Sequence, residues 1–272
     1  MTAIGMHSAP RWTAVATEQI VSVRLLLRRS GLLLLALYLG GILVGVRMAL
    51  RVVDMRENHL PGAHINFTYS PPTVVLLTLV AMLLPFGVWE DEDPRRRAYH
   101  WSMPVARPTH AMTKVFAGWI WLMAATLLYL IGAALTVVIT ERITGEAQSY
   151  GPQFVAWIWL YPFTAVTIAY LFVSAAAVGT RKPIAWVAAV LALLVVVPTI
   201  LYAAEYQQAA KAVASVWTGE YGLAAAVIGR IQAVNAPRPG FYWSLTRWLV
   251  SSALWGTVAA ALLVWAARRR PE

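Results

Sequence analysis

Cysteine is missing from all 272 residues. Disulfides and thiolate metal sites are thereby excluded. Charge is also scarce. Asp, Glu, Lys and Arg make up 12% of the chain, against about a quarter in soluble domains. Five of the long apolar stretches have no ionisable residue in their interiors. Proton- and ion-coupled carriers use such groups as way stations, so an autonomous secondary transporter is disfavoured. No GxxxxGK[ST] occurs, so nucleotide phosphates have no P-loop to bind. The HExxH and GxSxG signatures of metalloproteases and serine hydrolases are absent as well. The five histidines, His7, His59, His64, His100 and His110, lie outside the apolar stretches. That disfavours a buried haem held by paired histidines. His59 and His64 read as a solvated pair rather than as metal ligands.

What is present is apolar: 60% of the residues are hydrophobic. A helix needs about 20 apolar residues to cross about 30 Å of hydrocarbon. Six stretches qualify: Ser30 to Val53, Pro72 to Trp89, Val115 to Thr140, Phe154 to Gly179, Pro183 to Ala204 and Leu245 to Ala267. The expected fold is all-α, a polytopic membrane protein with six transmembrane helices forming a single domain over 1–272. Arg47 and Arg51 lie in the last turns of the first stretch and can snorkel to the interface. No cleavable signal is evident, so the first apolar run is expected to be retained.

The net charge of +10 fits anionic lipid and the positive-inside rule better than nucleic acid, because the cations fall between apolar runs. With the N-terminus inside, fourteen of the 22 Lys and Arg fall on inner segments. Both termini are then cytoplasmic. The segment 90–113 becomes a cytoplasmic loop, and 205–244 an extracytoplasmic one.

Within 1–29, residues 11 to 29 pattern as an amphipathic helix. Trp12, Ala16, Ile20, Val23 and Leu27 form one stripe. It reads either as a surface helix on the inner leaflet or as an extension of the first span. Forty residues without structure would be unusual for 205–244. Tyr206, Ala210, Val213 and Trp217, then Leu223, Val227 and Ile231, repeat at helical spacing. Two short outward helices are expected there, the second dipping toward the membrane. Pro85, Pro162 and Pro198 lie inside spans and remove backbone hydrogen bonds, as static bends or as hinges.

The densest chemistry is "VWEDEDPRRRAYHWSMPVARPTH", residues 88–110. Asp93 can cap a helix that Pro94 begins, and Pro104 stops it. The product is a short helix carrying Arg95, Arg96, Arg97, Tyr99, His100, Trp101, Ser102 and Met103. Aromatic and Arg side chains dominate protein–protein hot spots. The competing reading is a positive-inside loop whose aromatics sit at the lipid interface.

"YHWSMPVARPTHAMTKVFAGWIW" resembles the loop between the second and third spans of ATP-binding-cassette type-2 permeases. In that family a cytoplasmic coupling helix is followed by a proline, a small residue, an arginine and a basic residue opening the third span. Here these are Pro104, Ala106, Arg107 and Lys114. The layout is similar too: an interfacial N-terminal helix, six spans, and short helices before the sixth. The run "EDEDPRRR" is more highly charged than the family pattern.

The resemblance implies that this chain is the permease subunit of an ATP-driven exporter in the cell membrane. It would pair with a second, identical or different, permease subunit above two cytoplasmic ABC ATPase subunits. ATP and Mg would be held by those ATPases, and this chain would carry no catalytic residue, cofactor or metal. Arg95, Arg96, Arg97, Tyr99, His100, Trp101, Ser102, Met103 and Arg107 would couple to the ATPase. Pro85 and Gly87, with Pro198 and Thr199, would belong to the moving path of the second and fifth spans. The alternative is a non-transporting anchor or assembly factor using the same loop. A lipid-directed membrane enzyme, with Glu90 to Asp93, His100 and His110 as its only polar cluster, is disfavoured.

Overall fold

The computed structural model describes residues 12–58, 71–90, 106–145, 160–228, 230–233 and 240–269. These form eight helices: α1 (Trp12–Asn58), α2 (Pro71–Glu90), α3 (Arg107–Thr144), α4 (Tyr161–Gly179), α5 (Pro183–Ala203), α6 (Gln207–Thr218), α7 (Leu223–Ile228) and α8 (Leu245–Arg268). A two-stranded ribbon, β1 (Arg230–Ala233) and β2 (Gly240–Trp243), precedes α8. Among the described residues, four helices are long and apolar enough to cross a bilayer: α3 from Pro108, α4, α5 and α8. In α2 the described apolar stretch, Leu77–Trp89, is shorter. The first expected span lies within the helical range of α1. The chain is thus a helical protein with the spans of a membrane protein.

The pillar of the bundle is α4. Eleven of its 19 residues are buried, spread from Tyr161 to Ala177, and α2 and α8 pack along it. Leu77 and Ala81 of α2, Val115 and Leu122 of α3, Val166 and Tyr170 of α4 and Leu263 of α8 share one apolar core. A helix that is apolar on every side suits this central position. Within lipid, packing relies on small residues that let backbones approach. Gly118 of α3 admits the Tyr170 hydroxyl, which donates to the Val115 carbonyl at 2.8 Å. Gly132 leaves room for the Tyr38 ring of α1. Hydroxyls along α3 are satisfied internally: Thr126 donates to Leu122 O, and Thr140 to Thr136 O. In hydrocarbon no water would do this.

α1 is one unbroken helix of 47 residues, about 70 Å at 1.5 Å per residue. From Trp12 on, the expected amphipathic segment and the first expected span form one element. The Trp121 indole N–H of α3 donates to Ile20 O at 3.2 Å. Val23 is buried with Val88 of α2 and Ala117 of α3. Of the apolar stripe seen in the sequence, Ile20 and Val23 pack against α2 and α3. Further along, Gly45, Ala49 and Val52 continue the buried side, while Leu43 and Met48 point outward.

Other boundaries shift. α3 begins at Arg107, one residue before Pro108, the proline that reads in the sequence as opening this helix, and so eight residues ahead of the expected span. It ends at Gly145, whose φ of 68° lets its N–H reach Glu141 O at 3.0 Å. α4 is described from Tyr161; the expected start at Phe154 lies outside the described residues. In 205–244 the helices α6 and α7 appear, but Ile231 is in β1 rather than in a helix. There it pairs with Tyr242 of β2. The ribbon was not expected, because "NAPRPG" reads as a helix breaker and not as the link of two short strands.

Candidate functional site

The site rests on the stems of the α2–α3 loop. α2 ends at Glu90 and α3 opens after Ala106, whose extended backbone (φ −58°, ψ 131°) lets its carbonyl accept the His110 N–H at 3.1 Å. Pro108 sits in the first turn of α3, where its missing N–H costs nothing. One turn later Lys114 is 7% exposed. Its ammonium lies 4.6 Å from the centroid of the Trp89 ring. This cation–π contact joins the last turn of α2 to the second turn of α3. Val88, next to Trp89, is fully buried against Val23 and Ala117. The two stems are therefore held together and tied to α1. Behind them the Trp119 indole donates to Thr167 Oγ1 of α4 at 3.0 Å.

The loop itself, 91–105, lies outside the described residues. So do Arg95, Arg96, Arg97, Tyr99, His100, Trp101, Ser102 and Met103, and the Arg107 side chain. What the structure places is the seat from which they emerge.

The two path candidates are not brought together within one chain. Pro85 is buried in α2, while Gly87 is exposed with open space where a Cβ would sit. Pro198 is half-buried in α5; Thr199 is exposed and donates to Val195 O at 2.8 Å. Both helices continue through their prolines. α5 packs on α4 and on α6, and makes no extensive contact with α2. No residue of α5 is buried. Its apolar surface, Ile184, Leu193, Val195 and Ile200 included, is bare in the single chain.

A third region escaped sequence reasoning. At the opposite end from the α2–α3 loop, the turn between α6 and α7 is fastened to α8. Arg247 pairs with Glu220 at 2.9 Å. Ser251 Oγ donates to Gly222 O at 2.8 Å, and the Trp255 indole to Tyr221 O at 2.9 Å. Arg247, Ser251 and Trp255 are four residues apart, hence on one face of α8. That polar stripe in an otherwise apolar span was the available signal. Gly219 and Gly222 make the turn tight, since a Cβ on either would strike the backbone of Ser215 or Trp217. Glu205 at φ 64° forms the preceding corner between α5 and α6, a strained position for a residue other than glycine.

Among the described residues no three His, Asp or Glu side chains gather as metal ligands would. No known protein-family pattern, no curated protein and no solved structure matches this chain.

Proposed function

We propose that the chain is the transmembrane permease subunit of an ATP-driven ABC exporter. In this reading hydrolysis, ATP and Mg belong to separate cytoplasmic ATPase subunits, and the loop 90–113 is the lever. The observation that carries it is the seat of that loop. A force applied to 91–105 meets two stems clamped by Trp89 and Lys114 and backed by the core of α2, α3 and α4. The push would thus reach the spans as a unit. The resemblance at Pro104, Ala106, Arg107 and Lys114 supports the same assignment. So does the absence of ionisable way stations from five of the spans. α5, apolar all round and bare in one chain, offers a surface to a second permease subunit and would carry Pro198 and Thr199 to the shared path. Both termini are assigned to the cytoplasm and the α6–α7 region to the outside, on the distribution of Lys and Arg.

The test is purification from detergent with whatever ATPase accompanies the chain, followed by reconstitution. Tyr99→Ala with Trp101→Ala is expected to weaken ATPase binding by at least about 2 kcal/mol, as loss of a hot spot does. It should also abolish transport-linked stimulation of hydrolysis while leaving helix content unchanged. Unaltered coupling in this variant removes the lever from the account. A cytoplasmic partner that copurifies but hydrolyses no nucleotide turns the reading into the anchoring alternative.

A further inference from the structure

α4 and α8 run side by side in the same direction. Phe172 of α4 meets Trp255 of α8, with ring centroids 6.2 Å apart. Seven residues on, a Cβ at Gly179 would lie 3.0 Å from the Ala266 Cβ. Both helices leave the bundle just beyond this close approach. α4 turns through Thr180, Arg181 and Lys182 into α5, and α8 ends with Arg268 and Arg269. Two or three residues extend the chain by at most about 7–11 Å, so the four cations rise from one patch. All four are exposed.

Among the described residues, the helices that bear them, α4, α5 and α8, carry no neutralising acid. The patch also carries its own depth marker. Trp186, 58% exposed, lies four residues after Lys182, and Trp265, 53% exposed, four residues before Arg269. Each cationic pair therefore sits about one helical turn beyond an outward-facing indole. Tryptophan settles at the headgroup level of a bilayer, which places the cations among the lipid phosphates. The Arg269 guanidinium lies 4.0 Å from the Trp265 ring centroid. An arginine held over an aromatic ring keeps N–H donors from which a phosphate can accept.

We propose that Arg181, Lys182, Arg268 and Arg269, framed by Trp186 and Trp265, bind the phosphate of an anionic phospholipid headgroup. The lipid would cover the interfacial ends of α4, α5 and α8. This inference rests on the chain being a membrane protein and is independent of any ATPase partner.

The experiment uses the full chain in mixed micelles, titrated with phosphatidylglycerol and read by native mass spectrometry, with phosphatidylcholine in parallel. Each cation near an anionic surface contributes roughly fivefold in affinity. Arg181→Gln/Lys182→Gln and Arg268→Gln/Arg269→Gln are each expected to lose roughly 25-fold for phosphatidylglycerol and little for phosphatidylcholine. Arg47→Gln/Arg51→Gln removes the same charge from exposed positions on α1 and should stay within about twofold of the parent. Arg268→Lys/Arg269→Lys keeps the charge and should keep most of the affinity, even if a glutamine variant fails to fold. An equal loss in the α1 control overturns the proposal, as do unchanged glutamine variants or a lysine variant as weak as the glutamine one. Competition by inorganic phosphate at lipid-like concentrations would show a free-anion site instead. Loss of an acidic protein partner with lipid binding intact would likewise overturn it.

Discussion

Gly118 and Tyr170 show how single atoms set the spacing of this bundle. The Tyr170 hydroxyl occupies the volume a Cβ on residue 118 would need and donates to Val115 O at 2.8 Å. Gly118→Ala is expected to destabilise the protein by about 1–3 kcal/mol, the usual cost of overpacking. Tyr170→Phe removes the colliding oxygen at a cost of about 1 kcal/mol for the lost hydrogen bond. The double variant should therefore melt higher than Gly118→Ala alone when followed by thermal unfolding in detergent, a non-additivity expected of touching residues. If the double variant is the less stable one, the collision is not what makes glycine necessary. None of this was legible beforehand. The sequence shows a glycine in a span, and glycine is common in spans.

At the scale of elements, α1 is the instructive case. Its amphipathic stripe could be read from residue types, because burial of Ala16, Ile20 and Val23 follows helical periodicity. What the stripe would face could not, since lipid and a neighbouring helix reward the same apolar pattern. The Trp121 indole bond to Ile20 O settles it. Trp121→Phe keeps most of the ring volume but removes the donor, at a cost of about 1 kcal/mol. Amide exchange in residues 16–24 should then quicken, while α4 stays protected. Uniform behaviour of the two helices would mean that the first turns of α1 are not held by this contact. The unforeseen ribbon before α8 follows the same logic. Ile231 continued a helical spacing that Leu223 and Val227 had begun, yet its backbone pairs with Tyr242. Local periodicity over three residues cannot compete with a strand partner eleven positions away.

For the molecule as a whole, the antiparallel course of the helices puts Ala106 at one end of the bundle and Glu57 and Gln208 at the other, all three exposed. With no native cysteine, each can be replaced singly on a clean background. Ala106→Cys is expected to react with a membrane-impermeant maleimide only from the cytoplasmic side, and Glu57→Cys and Gln208→Cys only from outside. This expectation follows from the distribution of Lys and Arg. Labelling of all three from one face would contradict a transmembrane course, and reversed labelling would put the α2–α3 loop beyond the reach of any cytoplasmic ATPase. The bare apolar surface of α5 also belongs to this scale. It becomes intelligible only when lipid or a second subunit is added to the picture.

Residue types alone determined that the chain is helical and membrane-embedded, and where α2, α5 and α8 begin and end within a residue or two. Hydrocarbon demands about 20 apolar residues with every backbone group bonded internally, and such runs are conspicuous in a list of letters. The clustering of charge between α2 and α3 was equally plain. Only the tertiary structure decided which helix is central, that Ile20 and Val23 of α1 meet α2 and α3, that Lys114 lies on Trp89, and that Gly179 lies against Ala266. Each of these depends on which apolar surface meets which. Between surfaces of nearly equal greasiness, the choice falls to close fit at a few glycines and to isolated polar contacts, and both exist only once the helices stand side by side.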